Sequence, residues 1–160
     1  MKHRISRRAL ISSVAAAGGL AGGIQVAAQR PGGIRGFDHV ALPMEHTEEM
    51  LSFYRGLGLQ VLENANACSV YIGSQMINFH RPAHWQDKNF TLRAPAAKPP
   101  CGDLCFVWDG APESLIAMLK RAGAKVVEGP VERLGGLKKT GTSTYVRDPD
   151  GNLLEFMIYP

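Results

Sequence analysis

The 160-residue chain is long enough for one domain with a real core, and 45% of its residues are hydrophobic. Its formal net charge of +4 comes from four basic residues among the first 28; beyond them, 14 Lys and Arg balance 14 Asp and Glu. A neutral remainder with no basic stripe interleaved with aromatics excludes nucleic acid as an expected partner.

In chain order, residues 1–28 come first and read as an export signal. Lys2, Arg4, Arg7 and Arg8 precede an Ala-, Gly- and Leu-rich run without acids, and Val26-Ala27-Ala28 offers small residues for cleavage. The "SRRALI" stretch resembles a twin-arginine signal, which implies a periplasmic or secreted mature protein. The apolar run is too short and too Gly-rich for a spanning helix. No stable membrane association is therefore expected after cleavage. Residues 29–35, with "RPGGIR", read as a linker.

"GFDHVALPM" then reads as a strand and "EHTEEMLSFYRGLGL" as a helix. Met50, Leu51, Phe53, Tyr54 and Leu57 recur at helical spacing, Thr47 and its acids suit the start, and Gly58 suits the end. "QVLEN", "CSVYIG" and "MINFHRP" read as three short strands between turn residues. Residues 83–101, with several prolines and little periodicity, read as a connecting loop that could fold over a site. Next come the strand "GDLCFV", a Pro-started helix, a Gly123 cap, the strand "KVVEG", a basic loop "RLGGLKKTGTS", and two strands joined by Pro-Asp-Gly. The order β-α-β-β-β thus occurs twice, over about 36–82 and 102–160. One unit leaves a sheet face uncovered, and a second can enclose it.

An odd cysteine count, Cys68, Cys101 and Cys105, excludes a fully paired framework, and no structural disulfide is expected. The strand reading makes Cys105 a core residue. It also places Glu155 in an otherwise apolar last strand, on one face with Leu153, Met157 and Tyr159. An ionised carboxylate there needs a cation, a proton or a mouth open to solvent.

The segments "DHVAL", "FYRGLGLQV", "INFH", "GDLCFV" and "VRDPDGNLLEF", in this doubled order over 36–160, resemble the vicinal oxygen chelate superfamily, and within it the small glyoxalase-domain-containing proteins. The resemblance implies an α+β fold in which two βαβββ modules form a half-open eight-stranded barrel around one divalent ion. It implies that His39 and Glu155 are ligands. Asp103 stands where the second module more often has His, so it is either a carboxylate ligand or a strand-start residue capping local backbone. For the fourth position the choice lies between His80, a good ligand, and Asn78, its weaker neighbour on the same strand face. The mixed N/O set suits Mn, Fe, Ni or Zn.

Glyoxalase-like lyase or isomerase chemistry is the nearest analogy, through a metal-stabilised enediolate or oxyanion of a small oxygenated substrate, with Glu155 as proton shuttle. An extradiol-type dioxygenase, or a non-catalytic drug- or metabolite-binding protein, are the alternatives. Relatives often build their cleft across two chains, which implies a homodimer. Asn78 and Arg147 are secondary pocket candidates, with Arg147 equally suited to pairing with nearby acids. His46 reads as solvated, His84-Trp85 as loop surface or pocket mouth, and Tyr145 as a core aromatic.

Overall fold

A computed structural model describes residues 32–160. The leader, and with it the cleavage site and the first three linker residues, lies outside the described residues. Residues 36–160 form one compact unit.

The first module runs β1 (His39–Pro43), α1 (Thr47–Gly56), β2 (Gln60–Glu63), β3 (Ala67–Ile72) and β4 (Gln75–His80). A short helix α2 (Pro82–Trp85) opens the connecting loop. The second module repeats the order as β5 (Asp103–Val107), α3 (Pro112–Arg121), β6 (Val126–Leu134), β7 (Thr140–Arg147) and β8 (Leu153–Ile158). Each module makes its own four-stranded sheet, ordered β1-β4-β3-β2 and β5-β8-β7-β6. In each, the first strand runs parallel to the last and the other pairs are antiparallel. Neither sheet closes. β1 and β5 are both edge strands, with an unpaired row of backbone groups.

The repeat extends to the helix ends. Gly58 (φ +84°) and Gly123 (φ +71°) each follow the last helical turn in the left-handed region, where glycine carries no Cβ penalty. Gly58 N–H donates to Arg55 O and Leu59 N–H to Tyr54 O; Gly123 N–H donates to Lys120 O and Ala124 N–H to Leu119 O. These are two copies of one Schellman cap. Acids lie early and basic residues late in both helices, complementing the helix dipole.

Alternation along the strands turns one face of each sheet onto the helices. Leu42, Phe79, Met50, Leu51 and Tyr54 from the first module join Leu115, Leu119, Val146, Leu154 and Phe156 from the second in one continuous core. At the helix ends a Cβ on Gly56 would stand 3.2 Å from Ala122 Cα, so small residues set how closely these ends approach.

The Pro-Asp-Gly turn does more than reverse the chain. Asp148 is buried and accepts from Tyr54 Oη at 3.0 Å and Asn152 Nδ2 at 2.8 Å, while Asn152 Oδ1 accepts the Cys101 and Gly102 N–H groups. Asp150 accepts the backbone N–H groups of Glu45 and His46 at 2.8 Å, and His46 Nδ1 at 2.9 Å. The turn of the second module therefore buckles onto the start of α1. His46 is half-exposed and also paired, because Asp150 of the arriving turn meets it at the start of α1.

Two stretches differ from expectation for local reasons. β6 continues through Pro130, past the expected strand end, by shifting register around Gly129. A proline can sit at such an irregularity because no ladder hydrogen bond is asked of it there. The expected basic loop is then only a hairpin turn, closed by Gly135 N–H to Lys139 O and Lys138 N–H to Gly135 O. Arg147 forms no ion pair among the described residues and instead donates to Gly151 O at 2.8 Å, across its own turn. The cysteines are free.

Candidate functional site

The faces turned away from the helices carry the chemistry. On the first sheet, β1 and β4 lie side by side with His39 opposite Met76, Ala41 opposite Asn78 and Pro43 opposite His80. His39 is half-exposed, and its Nδ1 lies 2.6 Å from Asp38 Oδ1. A carboxylate holding one imidazole nitrogen leaves the other, Nε2, as the electron-pair donor, the arrangement usual behind a metal-binding histidine. Ser69 donates to Asn78 Oδ1 at 3.2 Å, and Asn78 Nδ2 lies 3.4 Å from His80 Nε2. Burial lowers the His80 pKa, and the neighbouring His84 and His39 imidazoles add to this, so its ring is held neutral at physiological pH.

The second sheet has the matching pair. Asp103 opens β5 as an exposed residue, and Cys105 sits in register with Glu155 of β8. Glu155 is half-buried. It accepts a short hydrogen bond from the Ser143 hydroxyl and has Tyr145 directly opposite on β7. Cys105 is an exposed residue on this outer face rather than a core one, because the helix-facing positions of β5 are Leu104 and Phe106. Desolvation, then the Glu155 carboxylate, pushes its thiol up to about 11, so it stands as a protonated donor beside Glu155. Desolvation also raises Tyr145, whose ring lies half-buried under the Arg133 guanidinium, 5.8 Å from its centroid. Tyr145 is thus an outer-face residue, not a core aromatic.

The four expected ligands fall into two pairs, His39 with His80 and Asp103 with Glu155, one pair on each sheet. They do not form one set within the chain: among the described residues, no three His, Cys, Asp or Glu side chains are grouped to hold a metal ion. The donor chemistry nevertheless fits a divalent cation. Two imidazoles present a neutral or carboxylate-backed nitrogen, and the Glu155 carboxylate is met by a neutral hydroxyl, with no ion-pair partner among the described residues. A half-buried anion in that setting is favourable for a cation to approach.

Several neighbours escape sequence reading. Ser143 and Tyr145 were legible in principle, since counting outward from the Pro-Asp-Gly turn with Arg147 opposite Leu153 puts Tyr145 opposite Glu155. Phe90 and Arg93 were not, because they reach the first sheet through loop conformation, while His84, expected as loop surface or pocket mouth, stands beside His80. The His84 and Phe90 rings stack with centroids 4.0 Å apart, and both lie edge-on to His80 at about 5 Å.

Known proteins share this architecture. The Glyoxalase/Bleomycin resistance protein/Dioxygenase superfamily profile matches residues 36–156. Glyoxalase domain-containing protein RDO1 of Mycosarcoma maydis is 35% identical over 132 residues, covering 82% of this chain and 72% of that protein. Virulence protein STM3117 of Salmonella typhimurium is 34% identical over 124 residues, covering 76% of this chain and 83% of its own. Its crystal structure superposes with a TM-score of 0.69 over 79% of this chain and 98% of that one. Lactoylglutathione lyase from Agrobacterium tumefaciens has the same fold at 18% identity, with a TM-score of 0.58 over 78% of this chain and 94% of that one. The chain belongs to the Glyoxalase/Bleomycin resistance protein/Dioxygenase superfamily.

Proposed function

We propose that this protein is a metal-dependent, glyoxalase-like enzyme acting on a small oxygenated substrate, with its metal site shared between two copies of the chain. Superfamily members commonly use a divalent metal, bind small molecules and oligomerise. Glu155 is the observation that carries the reading. It is a half-buried carboxylate at the ligand position after the Pro-Asp-Gly turn, met by a neutral hydroxyl and with no ion-pair partner among the described residues.

His39 and His80 of one copy, with Asp103 and Glu155 of the other, would hold the ion. Two observations support sharing: among the described residues no three candidate donors are grouped within one chain, and the β1 and β5 edges are both unpaired. The ion would act as a Lewis acid toward adjacent substrate oxygens. The remaining work falls to side chains. Glu155 takes a proton from the substrate carbon and returns it to the adjacent one. Ser143 orients its carboxylate through the short hydrogen bond, and the Cys105 thiol stays protonated, donating rather than competing as a nucleophile.

The test is a screen of α-ketoaldehyde–thiol adducts with wild-type protein and Glu155→Gln. Loss of the proton carrier should lower turnover roughly 10²-fold or more. A Glu155→Gln variant with wild-type turnover would remove the proton-transfer role.

A further inference from the structure

We infer that Arg93, presented by the connecting loop beside His80, is a carboxylate-binding subsite, so that the substrate carries a carboxylate group. This deepens the proposed function, because it places the subsite next to a donor of the first sheet.

The loop is pinned rather than loose. Trp85 Nε1–H donates to Met44 O at 2.8 Å, tying α2 to the end of β1, and Phe90 stacks on His84 and meets the edge of His80. Between these anchors and the sheet lies a small cavity of about 60 Å³, lined by Ala41, Pro43, His80, Trp85 and Arg93. That volume holds about four water-sized probes at ~15 Å³ each, enough for the three heavy atoms of a planar carboxylate but not for a large group.

Arg93 is half-buried and oriented by its own loop. Its Nη1 donates to Ala94 O at 3.3 Å and Pro95 O at 3.2 Å, which uses one corner of the guanidinium. No carboxylate pairs with it among the described residues. Asp87, an acid of the same loop, is occupied instead with the Asn89 backbone N–H and Nδ2. A guanidinium fixed at one corner and uncompensated at the rest is suited to a bidentate oxyanion, and its flat fork matches a carboxylate. The aliphatic and indole walls lower the local dielectric around the guanidinium, which strengthens its attraction for an anion.

The test uses pyruvate as probe and pyruvamide as its uncharged counterpart. Binding to the mature protein is read by calorimetry, with and without chelator treatment, and metal content is measured on the same samples. Wild-type protein should bind pyruvate at least tenfold more tightly than pyruvamide, with or without metal. Arg93→Ala should lose at least tenfold in pyruvate affinity, and Arg93→Lys should recover part of it. No saturable pyruvate binding, equal binding of the amide, or an Arg93→Ala affinity equal to wild type would overturn the subsite. If metal is stoichiometric while Arg93→Ala changes nothing, the subsite alone fails. If Arg93-dependent binding persists in protein that never takes up metal, the metal reading alone fails.

Discussion

At the scale of single residues, the paired histidine at the start of α1 makes a prediction that needs no ligand. The hydrogen bond to Asp150, reinforced by its charge, raises His46 above its ordinary 6.5. A group with a raised folded-state value contributes its full stabilisation below its unfolded value, and that contribution is lost as the pH rises through the folded value. Urea midpoints of wild type and His46→Ala should therefore differ most below 6.5 and converge above the raised value. A gap of constant size across that range would show that the imidazolium charge plays no part. The same histidine shows what one-dimensional reading misses. Its partner lies 104 residues away, so only the closing of the second module onto the first reveals it. Glu155 is the opposite case. Its oddity among apolar neighbours was legible, while the hydroxyl, thiol and phenol around it needed the register of three strands.

At the scale of elements, α1 and α3 were readable because each signals itself locally, with an apolar stripe, early acids and a glycine just past the end. The strands were readable from their apolar runs between turn residues. β6 was readable only in its first part, "KVVEG", because its continuation depends on a partner strand. Gly129 sits at φ +119°, and a Cβ there would stand 2.6 Å from Ser143 O and 2.8 Å from Thr144 Cα. Both backbone strain and overlap with β7 oppose a side chain at this position. Gly129→Ala should cost on the order of 2 kcal/mol, read from denaturant unfolding. It should also disturb Ser143, and through it Glu155. A variant as stable as wild type would mean that β6 can slide past β7 without loss. The connecting loop lies at the far end of legibility: its prolines announced irregular chain, but nothing in its spacing announced that His84, Phe90 and Arg93 would gather over His80.

At the scale of the whole molecule, the doubled β-α-β-β-β order is what composition and periodicity conveyed best, because each repeat carries the same cap, the same parallel first-to-last strand pairing and the same helix-facing apolar face. The functional arrangement was less legible. Each module places two of the expected donors on its outward face, and the β1 and β5 edges carry unpaired backbone groups. A second copy would cover both, setting the imidazoles of one chain against the carboxylates of the other. Native mass spectrometry of the protein from metal-supplemented cells reads chain number and bound ions together. The shared site predicts a two-chain species carrying about one divalent ion per chain, with the ions lost from His39→Ala and from Glu155→Gln. A wild-type species without bound ions, or variants that keep their ions in full, would contradict it.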